Sequence, residues 1–164
     1  MRTIVPLITL AAVGTAILGG CPSLTLLSQE AANEALVTRF YDEFWNNGDD
    51  SVLAELFTVP GYVHKEIGQA DFAPQTVQEL EDRFDAARAA TPDLDYTIDR
   101  IFSEGNEVIV QWTVTGTHTG DITGLPATGN TVTYKGITIW IIENGRIIES
   151  FTEDDDEDLN DQLT

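Results

Sequence analysis

The first half of the chain has the hydrophobic spacing of amphipathic helices. From Ser28 to Trp45 apolar pairs recur at helical spacing, and the following Asn46-Asn47-Gly48 ends the pattern. Two later apolar stripes have the same period, and Pro60-Gly61 separates the first of them from a brief extended piece. The pattern therefore predicts three helices, over residues 28–45, 51–57 and from 74 or 76 to 90.

The second half of the chain switches to a period of two, which is typical of strands. Apolar residues alternate with more polar ones from Leu94 and along 108–115, and residues 116–130 form a loop rich in Gly and Thr. Residues 131–142 are apolar on both faces, and Asn144-Gly145 is the signal of a two-residue hairpin leading into a last strand. Helices followed by a meander predict an α+β fold, with N-terminal helices packed on a curved antiparallel sheet. Together they form a cone with an internal cavity.

The N-terminus has a pattern of its own, outside this domain. Arg2 supplies a positive charge, and residues 4–18 are apolar apart from small residues and threonines, in a run too short to span a bilayer comfortably. The run ends in Leu18-Gly19-Gly20-Cys21, which resembles the lipobox of secreted lipoproteins. The resemblance implies cleavage before Cys21 and lipid attached to its sulfur. The alternative is an uncleaved anchor with an idle cysteine.

These features predict how the chain is organised and where it is located. We expect a signal peptide over 1–20, a tether over 21–27 and a single domain over 28–164. Lipid on Cys21 would hold the domain on the extracytoplasmic face of the cell membrane, with the bilayer as its partner. Because Cys21 is the only cysteine, no disulfide can form within the chain.

The net charge of the chain limits the classes of molecule that it can bind. It carries 28 acidic residues against 8 basic ones, a formal net charge of −20. Such a surface repels phosphate backbones, which excludes nucleic acid as a partner. An acidic, lysine-poor surface is also expected of a protein that works in concentrated salt, where self-repulsion is screened. We therefore expect a halophilic source, and a domain that stayed folded and soluble without added salt would argue against it.

The motif GTHTG, residues 116–120, places one of the two histidines of the chain at the end of an apolar strand. His118 has the same parity as Trp112, so in a regular strand its side chain faces the interior. In that position it can polarise a substrate carbonyl or relay a proton. It can equally be a structural histidine bonded to its own loop.

Three segments resemble the SnoaL-like polyketide cyclase family of the nuclear-transport-factor-2-like superfamily. They are Thr91-Pro92-Asp93-Leu94, then "VIVQWTVTGTHTGDITGLPATGNTV", then "GITIWIIENGRIIESF". The resemblance runs from about Ser28 to Leu163. It implies an α+β cone fold and ring closure by intramolecular aldol condensation without a cofactor. It also makes a homodimer through the outer face of the sheet an expectation, with which the two-sided apolar strand is compatible.

The resemblance also implies a catalytic aspartate at the end of the last strand. Carried over residue by residue, that position is Asp155, which shares its parity with Phe151 if the strand stays regular. A slip of one residue selects Asp154 instead. The competing interpretation is that Asp155 belongs to a solvated acidic run over 153–158.

The other candidate residues concern the ligand. His64 matches a common family histidine and is expected at the cavity mouth, unless it is an ordinary loop histidine. We expect no metal site, because the two histidines lie far apart in sequence and the acidic run lacks the glycine and glutamate of a calcium loop. The aromatic residues expected to contact a small hydrophobic ligand, unless they serve only as core, are Tyr62, Trp112, Trp45 and Phe151.

Two functions remain open at this point. The first is an acid/base enzyme (a cyclase, isomerase or lyase) acting on a small carbonyl compound, with Asp155 moving the proton and His118, with His64, polarising the carbonyl. The second is a non-catalytic surface lipoprotein that binds a small hydrophobic ligand or a protein partner. The second is favoured by the expected extracytoplasmic location and by departures from the family pattern at Gln111 and Ile141, where polar groups around a cavity are expected to be lost. The retained GTHTG motif and the aspartate favour the first.

Overall fold

The computed structural model describes residues 22–66, 76–122 and 125–163. The expected signal peptide, the lipidation site at Cys21 and the alternative helix start at Pro74 therefore lie outside the described residues. None of the helices in the described ranges is long and apolar enough to cross a membrane.

Helices form the N-terminal layer, largely as the spacing predicts. The first helix, α1, begins at Pro22, so residues 22–27, which the sequence separates as a tether, are helical. Thr76 begins α3 with a capping box, in which its hydroxyl accepts from the Glu79 amide and the Glu79 carboxylate accepts from the Thr76 amide. The helices are α1 Pro22–Arg39, continued by a π-helix Phe40–Asn46, a 3₁₀ turn Asp50–Val52, α2 Leu53–Leu56, α3 Val77–Ala90 and α4 Asp156–Leu163.

A sheet of five strands forms the second layer, in the order β1-β5-β4-β3-β2. The meander from β2 to β5 is antiparallel, as expected, whereas β1 pairs with β5 in parallel at one edge. Asn144 and Gly145 both have positive φ, which is the conformation of a tight hairpin turn of type I′. The strands are β1 Val63–Glu66, β2 Asp95–Glu104, β3 Glu107–Thr117, β4 Thr131–Glu143 and β5 Arg146–Asp154.

The core lies between the helices and the concave face of the sheet. Val108, Val110, Trp112 and Val114 alternate inward along β3, and the helical layer packs its apolar side against them. Burial of these side chains is the main favourable term for folding, at about 25 cal/mol per Å² of apolar surface. The fold is the predicted α+β cone, and its open interior positions the site described next.

Candidate functional site

A cavity of about 220 Å³ lies between the helices and the concave face of the sheet. Its walls combine aromatic rings with a small number of polar groups, which is the usual character of a small-molecule site. The lining residues are Phe40, Tyr41, Trp45, Tyr62, His64, Leu80, Arg83, Ala87, Leu94, Tyr96, Trp112, Tyr134, Thr138, Trp140, Thr152 and Asp154.

Every tyrosine and every tryptophan of the chain lines this cavity. The chain has 4 tyrosines and 3 tryptophans, and all of them are among the lining residues. Of the described phenylalanines only Phe40 does so, although packing alone would be served equally well by phenylalanine. Tyrosine and tryptophan add a hydrogen-bonding group to an apolar ring, so this distribution indicates a cavity that receives a ligand with both apolar and polar surface.

Hydroxyl groups cross the floor of the cavity from strand to strand. Trp112 Nε1 donates to Thr138 Oγ1 at 3.0 Å, and Thr138 Oγ1 lies 3.0 Å from Thr152 Oγ1. The Trp112 indole can lie across β4 only because Gly136 has no side chain, since a Cβ there would overlap the ring. Gly136 is also the register partner of Asp154, so the indole edge and that carboxylate occupy neighbouring strands at the same level.

A second chain of hydrogen bonds joins two cavity residues through a buried serine. Ser150 is fully buried, and its Oγ lies 2.6 Å from the Tyr62 hydroxyl and 2.8 Å from His64 Nδ1. Parallel pairing of β1 with β5 places His64 beside Ser150. Burial raises the pKa of Tyr62 to about 12, so its hydroxyl keeps its proton at neutral pH.

The electrostatics of the cavity keep His64 neutral. Burial, followed by the positive charge of Arg83, lowers the pKa of His64 to about 4. Arg83 lies exposed on α3 and is itself a lining residue, so its charge lies at the open side of the cavity. The cavity therefore combines an imidazole that is neutral at neutral pH with the acidic side chain of Asp154.

At the strand end Asp154, and not Asp155, lines the cavity, although both residues are exposed to solvent. Ile142 pairs with Ile147 while Ile141 pairs with Glu149, so Ile148 is an extra residue, a β-bulge. The bulge reverses the alternation of β5: Ile147 and Ser150 are both fully buried although they lie three positions apart. From Ser150 onward, even-numbered residues face the cavity.

Asp155 and Phe151, which share their parity, therefore lie away from the cavity. Asp155 is exposed, and its amide donates to the Lys135 carbonyl at 3.0 Å where β5 ends. The Phe151 ring is on the opposite face of the sheet, under the ammonium group of Lys65. The prediction that Phe151 and Asp155 share a face of the sheet is therefore confirmed. The prediction that this face is the cavity side was wrong, because a bulge has no signal in the alternation pattern.

His118 is fully buried but is held by its own loop. Its Nδ1 lies 3.1 Å from Thr128 Oγ1 and accepts from the Thr128 amide at 3.3 Å, and its backbone pairs with Asn130 and Gly129. It is absent from the lining residues of the cavity. The structural interpretation of this histidine therefore fits the geometry, and the expected pairing of His118 with Asp155 in one pocket does not.

The glycines of GTHTG dock this loop on the end of α3. The amides of Thr119 and Gly120 both donate to the Ala90 carbonyl, at 3.0 and 2.9 Å, and so satisfy the helix C-terminus. A Cβ on Gly120 would overlap the Ala89 carbonyl, and one on Gly116 would overlap the Thr91 side chain. The motif is conspicuous in sequence because close backbone approach demands glycine there.

The family departures at Gln111 and Ile141 lie outside the cavity. Each has the outward parity of its strand, Gln111 beside Trp112 and Ile141 beside Trp140, and neither is a lining residue. The expected loss of polar groups around the cavity was therefore wrong. These two departures therefore no longer favour a non-catalytic protein.

Of the predicted ligand-contacting residues, His64, Tyr62, Trp112 and Trp45 line the cavity. Sequence reasoning missed most of its polar lining. An available signal was inward parity, because Tyr96 has the same parity as Ile98, and Trp140 the same parity as the apolar Ile142, along their strands. No cluster of three or more metal-ligating side chains is found within the described ranges. Asp154 was named only as the alternative to Asp155, and the other lining residues with polar groups that were missed are Tyr41, Arg83, Tyr96, Tyr134, Thr138, Trp140 and Thr152.

Comparison with known proteins gives the family. A model described as SnoaL-like polyketide cyclase matches residues 35–163. A candidate polyketide cyclase from Acidithiobacillus ferrooxidans is 26% identical, with a TM-score of 0.71, over 80% of this chain and 94% of its own. IdmH from Streptomyces antibioticus, also a candidate polyketide cyclase, is 26% identical, with a TM-score of 0.68, over 80% and 97%.

A third solved structure shows the same fold at lower identity. A candidate SnoaL-like polyketide cyclase from Jannaschia sp. CCS1 is 24% identical, with a TM-score of 0.72, over 82% of this chain and 92% of its own. No curated protein matches the chain. Since the family model covers most of the domain, this chain belongs to the SnoaL-like polyketide cyclase family.

Proposed function

We propose that this domain is a cofactor-independent acid/base enzyme, a cyclase, isomerase or lyase, that acts on a small carbonyl compound. The observation that carries the proposal is the joint presence of the Asp154 carboxylate and the neutral His64 imidazole in one cavity walled by tyrosine and tryptophan. A carboxylate can take a proton from carbon next to a carbonyl, and a neutral N–H donor can stabilise the charge that develops on oxygen.

The walls supply orientation. Trp45, Trp112 and Trp140 offer flat apolar surface, and the hydroxyls of Tyr41, Tyr96 and Thr152 offer hydrogen bonds to a polar ligand. Burial raises the pKa of Tyr41 and of Tyr96 well above the usual range, so both phenols remain neutral donors. A planar carbonyl compound with an apolar body matches this set of groups.

The proposal is tested by proton exchange on a simple probe. With 2-tetralone, an enolisable aromatic ketone, in D₂O, we expect the protein to accelerate exchange of the protons next to the carbonyl, followed by ¹H NMR. Asp154→Asn removes the base and is expected to reduce the catalysed rate by about 100-fold or more. Asp155→Asn is the matched control, because this neighbouring carboxylate is equally exposed but does not line the cavity, and it should leave the rate unchanged.

The outcome of that test separates the two candidate functions. An exchange rate insensitive to Asp154→Asn contradicts catalysis by this carboxylate. A wild-type protein that binds the probe without accelerating exchange supports the alternative, a non-catalytic protein holding a small hydrophobic ligand. Binding is followed independently by intrinsic fluorescence, since all three tryptophans line the cavity.

We further propose that the domain is anchored to the membrane through lipid on Cys21, on the extracytoplasmic face. The support is the sequence Leu18-Gly19-Gly20-Cys21 at the end of an apolar run. Intact-mass measurement on membrane fractions tests this proposal. A mass that lacks residues 1–20 and gains lipid is expected, and a mass that retains Met1 contradicts it.

A homodimer through the outer face of the sheet is the proposed assembly. An apolar row crosses four strands on that face, where Phe102, Ile109, Ile139 and Phe151 are successive register partners. Phe102 is 59% exposed, which is unusual for a ring of that size. We expect light scattering to give twice the monomer mass, and Ile139→Glu to give the monomer.

A further inference from the structure

The hydrogen-bonded link from Tyr62 through Ser150 to His64 can run in two directions. The direction decides which nitrogen of the His64 ring is protonated and therefore whether the ring donates to a ligand or accepts from it. Ser150 Oγ carries one proton and lies within hydrogen-bond distance of both neighbours. Either Tyr62 donates to Ser150 and Ser150 donates to His64 Nδ1, or His64 Nδ1–H donates to Ser150 and Ser150 donates to the Tyr62 oxygen. The two arrangements leave His64 in opposite tautomers.

Burial of Tyr62 selects the first arrangement. Tyr62 is 2% exposed, and among the described residues Ser150 is the hydrogen-bond partner found for its hydroxyl. In the second arrangement the Tyr62 proton would need another buried acceptor, and a buried donor left without one costs about 1–3 kcal/mol. In the first arrangement every proton of the link has an acceptor.

The remaining nitrogen of His64 then belongs to the cavity. Nδ1 is directed at Ser150, which is fully buried and is not a lining residue, whereas His64 is one. The opposite edge of the ring, with Nε2, is the edge left for the cavity. We propose that Tyr62 and Ser150 are positioning residues that hold His64 in the Nε2–H tautomer, so that the cavity presents a neutral N–H donor to an acceptor oxygen of the ligand.

This inference rests on the proposed function for its catalytic meaning and narrows the ligand class. A fixed N–H donor recognises an acceptor oxygen, such as that of a carbonyl or ester, and disfavours a group that can only donate, such as an ammonium, at the same point. Burial, followed by the charge of Arg83, lowers the pKa of His64 and keeps its imidazole neutral, which leaves Nδ1 able to accept from Ser150. The carboxylate of Asp154 then supplies the base, and the two cavity groups have separate roles.

The test is the tautomer itself, which needs no substrate. With [¹⁵N]histidine in the full chain, long-range ¹H–¹⁵N spectra distinguish a protonated ring nitrogen from a bare one. The chain has only two histidines, and His118 is an internal reference for the fold, because its ring is fully buried and its Nδ1 contacts Thr128 and not Ser150. Loss of one signal set in His64→Gln assigns the spectrum.

In the wild type we expect His64 to show a bare Nδ1 and a protonated Nε2. Ser150→Ala removes the donor, so the two nitrogen shifts of His64 should converge toward a tautomer mixture while those of His118 stay in place. Tyr62→Phe keeps the ring and removes the donor to Ser150, so it should move the His64 shifts in the same direction by less. Ser150→Cys, which restores a weak donor of similar size, should restore part of the separation.

Two results would overturn the inference. One is a wild-type His64 protonated on Nδ1. The other is an unchanged His64 tautomer in Ser150→Ala with the His118 signals intact. If Ser150→Ala does not fold, the wild-type spectrum and Tyr62→Phe decide the question. The test is separate from the exchange assay: an Nε2–H tautomer in a protein without exchange activity contradicts the enzyme and leaves this inference standing, and the reverse pair of results does the opposite.

Discussion

His64 and His118 differ in the burial of their imidazole rings, in their hydrogen-bond partners and in whether they line the cavity. His118 is fully buried, and its Nδ1 and backbone tie the two ends of a loop together. His64 is half-buried at a sheet edge, and within the described ranges the hydrogen-bond partner found for its ring is Ser150, on the Nδ1 side. The motif that stands out in sequence marks the structural histidine, and the histidine in an unremarkable segment lines the cavity.

A recognisable sequence motif and a position in the cavity therefore arise from different physical requirements. GTHTG is conspicuous because its glycines let backbone approach backbone, which is a packing requirement. A cavity needs only a side chain aimed inward and left partly unsatisfied, which any strand position of the right parity provides. The predictions below test this division of roles between the two regions.

The largest effect is expected on replacing the buried ring. His118→Ala should lower the free energy of unfolding by about 3 kcal/mol, because it empties a fully buried position and removes a loop tie. His64→Ala should cost about 1 kcal/mol or less, because that ring is only half-buried. Urea unfolding followed by circular dichroism measures both, and a larger loss at His64 would reverse the assignment.

Two glycines give a matched pair of backbone substitutions. Gly120→Ala brings a methyl group onto the Ala89 carbonyl, which cannot move without opening the loop, so we expect about 2 kcal/mol of destabilisation. Gly136→Ala also meets a backbone carbonyl, that of Glu153 at 2.8 Å, and should be destabilising too, but its closest contact is the Trp112 ring, which can swing into the cavity. That variant should lose ligand binding and shift tryptophan emission. The double variant Gly136→Ala/Trp112→Leu should be more stable than the two single effects added, and simple additivity would contradict the contact.

The pH dependence of stability separates the histidines further. The pKa of His64 is lowered to about 4 from an ordinary 6.5. Between these pH values the unfolded chain binds a proton that the native state does not. The stability contributed by neutral His64 is therefore complete above pH 6.5 and is lost progressively as the pH falls toward 4. His64→Gln should flatten the profile in that window, and parallel profiles for the two proteins would contradict it.

The smallest effect concerns the charge at the open side of the cavity. Because Arg83 is the second cause of the low pKa of His64, Arg83→Gln should raise that pKa by less than about one unit. Arg100→Gln removes the same charge from the outer face of β2 and should leave the pKa in place. NMR titration of the His64 ring measures both variants, and equal shifts would mean a general charge effect.

Much of the architecture follows from local pattern. The third helix with a start at Thr76, the Asn144-Gly145 turn and the alternation along β3 each depend on residues close together in the chain, and each of these predictions is confirmed. The helix start at Pro22 escaped prediction because Ser28 looked like a capping residue. Parallel pairing of β1 also escaped it, because a strand of four residues carries too little pattern to specify its neighbour.

The candidate site was predictable only in part. Tyr62, His64, Trp45 and Trp112 could be selected by residue type and parity, and they line the cavity. The link through Ser150 joins residues more than 80 positions apart, so no spacing in the sequence announces it. The same holds for the inward position of Asp154, which depends on an irregularity between two strands.

The class of fold and the order of its elements can be predicted from the amino-acid sequence, because hydrophobic period and turn residues act locally. The family can be predicted from its motifs. The tertiary structure alone decided which of two adjacent aspartates enters the cavity. One extra residue at Ile148 turns the strand over, and its cause is the pairing of β4 with β5. Tertiary packing also decided that His118 is held by its loop while His64 lines the cavity, because burial and hydrogen-bond partners exist only once distant segments meet.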